Sequence, residues 1–184
     1  MARRSQQPGN LLRLVRLLVK CLLGMELYFL RHASASDSAA SDAARELTNE
    51  GREEALVAGK ALARMGVKPV RIFCSPLVRA RQTAQIVANE LEVEAEAIDE
   101  LLNETSTSQL LKFLKTSGDA AEILLVGHMP SLAGHIGHLI GARTGEGLAF
   151  GNGSVALVEI NELSLGCGRL RFLLHQNKLR EITS

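Results

Sequence analysis

Three short apolar runs in this chain each stop abruptly at polar or small residues. They are Leu27-Tyr28-Phe29-Leu30 before Arg31-His32, Val70 to Cys74 before Ser75-Pro76, and Glu122 to Val126 before Gly127-His128. Near-continuous apolar runs of this length read as strands covered on both faces, the habit of parallel sheets. Between them, apolar positions recur at helical spacing. Ala55, Ala58, Leu62 and Met65 predict a helix over about 49–65, capped by Thr48 and ended by Gly66. Leu77, Ala80, Ala84, Val87 and Leu91 predict a second, with Ser75 at N-cap and Pro76 at the first helical position. Leu110, Leu111 and Leu114 mark a helix over about 107–116, and Leu132, Ile136, Leu139 and Ile140 one that starts at Pro130. Residues 95–98 read as a short edge strand, and 155–160 with 170–174 as a hairpin-like pair. The polar tail over 176–184 reads as loosely held. This alternation predicts one α/β domain over residues 25–175, a three-layer α/β/α sandwich with a mainly parallel sheet.

Residues 1–24 follow a different pattern. Leu11 to Leu23 are apolar apart from Arg13, Arg16 and Lys20, which a helix would align as one basic stripe. The run is too short and too charged for a transmembrane segment, and it lacks an uninterrupted signal-peptide core. Two readings stay open. A basic amphipathic helix over 11–23 could make weak contact with an anionic membrane surface. Alternatively Met25, which directly precedes the first strand, is the true start, and the pattern favours this second reading.

Composition narrows the function classes. A net charge of +1 provides no field for general nucleic-acid binding. Aromatic residues make up 3% of the chain with no Trp, so base stacking is not expected. Cys21, Cys74 and Cys167 are odd in number and far apart, which suggests neither a disulfide framework nor a metal site and points to the cytoplasm. Cys74, the last residue of an apolar run, reads as a small buried hydrophobe. The Gly-rich stretch 145–154 has no phosphate-loop Lys and reads as turns.

The chemistry gathers where the strands end. In open α/β sheets the binding crevice lies outside the carboxyl ends of the strands. Arg31-His32 and His128 sit at two such ends, and Arg79 falls in the first turn after a third. Two guanidiniums can grip a phosphoryl group with several donors. One imidazole can take that group covalently, and a second can hydrogen-bond an oxygen as charge builds. His135 and His138, three residues apart on a helix with no third ligand nearby, read as packing or surface residues. His175 carries no catalytic expectation, and Arg81 and Arg143 read as solvated charges.

Arg31-His32-Ala33 resembles the Arg-His-Gly signature of the histidine phosphatase (phosphoglycerate mutase-like) superfamily. The segment Ser75-Pro76-Leu77-Val78-Arg79-Ala80-Arg81-Gln82-Thr83 resembles its Ser-Pro-x-x-Arg-Ala-x-Gln-Thr segment, and Val126-Gly127-His128 the strand end bearing its second His. The resemblance covers about residues 25–175. The short chain and Arg45-x-Leu47-Thr48-x-x-Gly51 are similar to the SixA-like phosphohistidine phosphatase branch. It implies that His32 is the nucleophile, that Arg31, Arg79 and His128 bind and neutralise the phosphoryl group, and that neither metal nor cofactor is needed. Ala33 stands where the family has Gly, a change expected to be tolerated if φ is negative there. Mutase-type members carry a Ser or Thr at the place of Ala35 and an Asn at the place of Ser38; both are missing, and no room for a long lid exists between Cys74 and Glu122. Glu104, in the loop where other members carry an acidic donor, is the candidate general acid; a solvated loop carboxylate is an equally good reading.

The resemblance thus implies a phosphatase acting on phosphohistidine in a partner protein, such as a phosphotransfer domain, and working as a monomer. A phosphohistidine substrate relaxes the need for an acid, because its leaving imidazole leaves more readily than an alkoxide. Two alternatives stand beside it: a small-molecule phosphomonoesterase, which Glu104→Gln would cripple, and a catalytically silent phospho-ligand binding module.

Overall fold

A computed structural model describes residues 24–118 and 120–184. The extension expected over 1–24 therefore lies almost wholly outside the described residues. Six strands and five helices follow the predicted alternation: β1 Met25–Arg31, α1 Asn49–Arg64, β2 Arg71–Cys74, α2 Val78–Leu91, β3 Ala95–Ala97, α3 Thr107–Thr116, β4 Glu122–Gly127, α4 Ser131–Leu139, β5 Val155–Ile160, β6 Gly168–Leu174 and α5 Gln176–Thr183. The sheet order is β3-β2-β4-β1-β5-β6. The first four strands in that order pair in parallel, and β5 and β6 add an antiparallel edge, so the sheet is mainly parallel and mixed.

Side chains alternate across the pleat, so each central strand feeds two cores. Leu27 and Phe29 of β1, with Ile123 and Leu125 of β4, face Leu110, Leu114, Leu132 and Ile136 of α3 and α4. Tyr28, Leu30, Leu124 and Val126 face the other way, against Ala58, Leu62, Ala84 and Val87 of α1 and α2. Two cores on two faces of one sheet make the three layers. Cys74 is buried among the second set, and burial raises its thiol pKa to about 11. It packs as an inert hydrophobe.

Local signals explain most element ends. Thr48 caps α1 by accepting from the Gly51 N–H at 3.0 Å, and Gly66 ends that helix at φ +79°. Gly51 is required for a second reason: a Cβ there would lie 1.9 Å from the Ser34 carbonyl oxygen. Helix α1 can press against the loop after β1 only because that side chain is missing.

Two expectations are corrected. Helix α2 begins at Val78 with Leu77 as its N-cap, two residues later than the Ser75-Pro76 signal implies. Ser75 instead continues the sheet edge, its N–H bonded to the Val126 carbonyl, and its hydroxyl accepts weakly from the Leu77 N–H. The tail is not loosely held either. It forms α5, whose Leu179 is fully buried against the α1 side of the sheet. Gln176 donates to the Glu54 and Gly153 carbonyls, and Arg64 donates to the carbonyls of Ile182 and Ser184. A polar tail with one apolar residue per turn hides its docking signal, because the partners lie far away in sequence.

Candidate active site

Register brings the site together. Arg31, the last residue of β1, pairs with Gly127, the last of β4, and Cys74 of β2 pairs with Val126. One residue further on, His32 and His128 therefore stand side by side on neighbouring strands, with ring centroids 5.0 Å apart. The His32 N–H bonds the Gly127 carbonyl at 2.9 Å, so the two loops leave the sheet locked together. The first turn of α2 then delivers Arg79, whose Nε donates to His32 Nε2 at 3.3 Å. All four residues line one cleft of about 500 Å³ at the carboxyl edge of the parallel strands.

The state of His32 follows from its partners. Its Nδ1 lies 2.8 Å from the Ala33 carbonyl oxygen, which can only accept, so Nδ1 carries the proton. Nε2 then holds the lone pair, which accepts from Arg79 Nε at the cleft. Burial, followed by the positive charges of Arg79 and Arg31, lowers the His32 pKa to about 4, although the bond to Ala33 acts against this. The ring is thus neutral across the physiological range. Ala33 does not adopt a positive φ, as its replacement of Gly requires.

His128 is 1% exposed, and neither ring nitrogen has a protein partner among the described residues. Burial first, then the nearness of His32 and Arg79, lowers its pKa to about 3. Arg31 donates from Nη1 to the Phe150 carbonyl at 2.8 Å, while its Nε has no partner among the described residues. Burial lowers the Arg31 pKa, and the charge of Glu54 opposes that shift. Unpaired donors on buried rings and guanidiniums are costly in a finished core. Here they surround one cleft, which suits an anion with several oxygens.

Behind the reacting face lies a frame that the sequence motifs only partly announce. Thr83 accepts from the Ala33 N–H and donates back to the Arg79 carbonyl, tying the loop after β1 to α2. Gln82 accepts from the Leu47 N–H at 2.7 Å. The buried carboxylate of Glu54 accepts from both the N–H and the hydroxyl of Ser34, and Asn152 donates to that hydroxyl. These contacts explain why Gln and Thr follow the arginine at their fixed offsets. They hold backbone.

Of the sequence-predicted site residues, Arg31, His32, Arg79 and His128 converge. Glu104 does not: it is exposed and does not line the cleft, whereas its neighbour Asn103 does. The carboxylates on the cleft belong instead to Asp37 and Asp42, and only Asp42 touches Arg79; sequence reasoning missed both. Asp42 accepts from Arg79 Nη2 at 3.0 Å through its side chain and from Nη1 at 2.6 Å through its carbonyl. The Arg79 guanidinium, followed by that of Arg45, holds the Asp42 carboxyl below the usual carboxylate range. Arg45 also lines the cleft, braced by the Ser36 carbonyl and by ion pairs with Asp37 and Asp42. The segment Arg45-x-Leu47-Thr48 hinted at Arg45; nothing in the polar run around Asp42 marks that residue. Among the described residues, no three His, Cys, Asp or Glu side chains converge where they could hold a metal ion. Nor is any helix there long and apolar enough to cross a membrane.

Comparison with known proteins agrees with this geometry. Residues 27–110 match the histidine phosphatase superfamily (branch 1). An uncharacterized protein of Picosynechococcus sp. is 34% identical over 168 residues, spanning 87% of this chain and 96% of the relative. Phosphohistidine phosphatase SixA of Escherichia coli is 28% identical over 146 residues, 77% of this chain and 89% of that protein. The solved structure of the protein histidine phosphatase SixA complexed with tungstate superposes with a TM-score of 0.77 at 27% identity, covering 84% of this chain and 99% of that one.

Proposed function

Because this chain belongs to the histidine phosphatase superfamily, in its SixA-like branch, we propose that it removes the phosphoryl group from phosphohistidine in a partner protein. The intermediate is phospho-His32. The observation that carries this reading is the state of His32: Nδ1–H bound to Ala33, which leaves the Nε2 pair unprotonated at the cleft, where it accepts from the Arg79 guanidinium that would move onto an incoming phosphoryl group, with His128 alongside.

In the first step, His32 Nε2 attacks phosphorus as the bond from phosphorus to the substrate imidazole breaks, and the bonding pair returns to the leaving nitrogen. Arg31 and Arg79 match the charge spread over the phosphoryl oxygens, and His128 supplies a further hydrogen bond to them. In the second step, water attacks phosphorus and the bond to His32 breaks. The bonding pair returns to Nε2, which restores the neutral Nδ1–H imidazole, and the proton lost by the water stays on the phosphate released. Positive side chains supply all of the neutralisation, so the reaction needs no metal.

Substrate choice follows from the shape and the acid inventory. Among the described residues, no inserted segment between β2 and β4 closes over the cleft, so a side chain presented on a protein surface can enter. Glu104 stands away from the cleft wall, and a phosphoramidate needs a strong acid less than an alkyl phosphate does. A phosphotransfer domain in the cytoplasm fits as partner, with the enzyme acting as a monomer.

The test is turnover of a protein-bound phosphohistidine beside a simple phosphomonoester. We expect phosphohistidine to be preferred, label to be trapped on His32 at short times, and His32→Ala to lose about 10⁴-fold or more in kcat. Turnover of the phosphomonoester alone would refute the substrate assignment. With no turnover and no label on His32, a binding module would be the better reading.

A further inference from the structure

Among the cleft residues that take no part in phosphoryl transfer, Asp42 is the carboxylate in contact with Arg79. Asp42 sits on Arg79, the guanidinium that grips the phosphoryl group, yet its side chain is 65% exposed while that of Arg79 is 5% exposed. One carboxylate oxygen takes Arg79 Nη2 at 3.0 Å and the other takes Arg45 Nη1 at 3.3 Å. An ionised carboxylate has about four acceptor positions, so this arrangement leaves capacity on the open side. Placed there, a negative charge is a disadvantage for an enzyme that takes a bare phosphate dianion. It becomes an advantage if the group carrying the phosphoryl is itself cationic.

Phosphohistidine meets that condition. Phosphorylation uses one ring nitrogen and leaves the other basic, in the range where an imidazole is partly protonated near neutral pH. We propose that Asp42 is a specificity-determining residue whose carboxylate, braced by Arg79 and Arg45, accepts the N–H of the protonated imidazole that carries the phosphoryl group. This inference rests on the phosphohistidine reading above. The chemistry balances without a general acid. As Nε2 of His32 bonds to phosphorus, the pair of the breaking bond returns to the leaving nitrogen, and the proton already on the other ring nitrogen makes the departing imidazole neutral. Phosphomonoesters offer no such N–H and meet only the repulsion.

The experiment compares kcat/KM for a phosphohistidine peptide and for 4-nitrophenyl phosphate, in wild type, Asp42→Asn, Asp42→Glu and Asp37→Asn. Asp42→Asn is expected to cut the ratio of the two efficiencies about tenfold, because phosphohistidine turnover falls while the aryl ester holds or gains. The alkaline loss of phosphohistidine turnover should also begin at lower pH in that variant. Asp42→Glu should recover most of the preference. Asp37 lines the same cleft and pairs with Arg45 but does not touch Arg79. Its neutralisation should move the ratio by less than about twofold, since an exposed charge at the rim is screened. An unchanged ratio in Asp42→Asn, with wild type active on phosphohistidine, overturns this inference alone. So does an equal fall for both substrates, which would make Asp42 a brace for Arg79. Wild type inert toward phosphohistidine but active on the ester overturns the inference together with the reading it rests on.

Discussion

The molecule holds two pairs of neighbouring histidines, and they have opposite surroundings. His32 and His128 come from the ends of adjacent strands and face a cleft with Arg31 and Arg79. His135 and His138 lie one turn apart on α4, and both point Nδ1 at the hydroxyl of Thr107, at 3.0 and 2.9 Å. Burial alone does not separate the pairs. It lowers the pKa of His135 to about 4, with the nearby His138 adding to the shift, just as it lowers that of His32. What differs is the company. In the cleft, a carbonyl fixes the proton on Nδ1 and guanidiniums supply positive charge, one of them donating to the unprotonated Nε2. Beside Thr107 a single hydroxyl ties two imidazoles to the first turn of α3. A histidine becomes reactive through its tautomer and its neighbours; the second pair is a structural staple.

The comparison can be broken most severely at His128. His128→Ala should lower kcat by about 10² to 10³-fold, the usual loss on deleting one donor to a developing oxyanion, with little change in melting temperature. A loss under tenfold would place His128 outside the reacting face. At the other pair the pattern should reverse. Thr107→Val keeps the shape but strands two ring nitrogens, one of them on a buried ring, and should cost about 1–3 kcal/mol in denaturant unfolding. Its kcat/KM should stay within about threefold of wild type, since Thr107 touches nothing in the cleft. A larger fall in activity would mean that the staple also sets the loop carrying Asn103.

A smaller, graded effect should appear with pH. His32, His128 and His135 have folded-state pKa values of about 4, 3 and 4, each below the ordinary 6.5. Between about pH 6.5 and 4 the unfolded chain therefore binds protons that the folded chain refuses, and stability falls as pH falls. Each histidine contributes up to about 1.4 kcal/mol per pH unit within that window. His135→Phe should remove one such contribution and flatten the slope without touching the cleft; an unchanged slope would contradict a neutral buried His135. Imidazole resonances followed by NMR should show His32 still neutral at pH 5, and a midpoint near 6.5 would contradict the state assigned to the nucleophile.

Local pattern was enough for the parts of this protein that depend on neighbours in sequence. Apolar runs closed by Arg31-His32, Cys74-Ser75 and Gly127-His128 marked the parallel strands, and Thr48 and Gly66 marked the ends of α1, because pleat alternation, capping and left-handed turns are decided within a few residues. The four converging site residues were legible for the same reason: a strand end is a local feature, and parallel strands share one edge. Tertiary structure decided the rest. The order β2-β4-β1 set His128 beside His32. Only folding could lay Asp42 on Arg79, leave Glu104 off the cleft, bury Glu54 behind Ser34 and dock Leu179 beneath α1. The contacts among these join residues far apart in the chain, and a single polar residue in a polar run carries no periodicity from which its distant partner, or the lack of one, could be inferred.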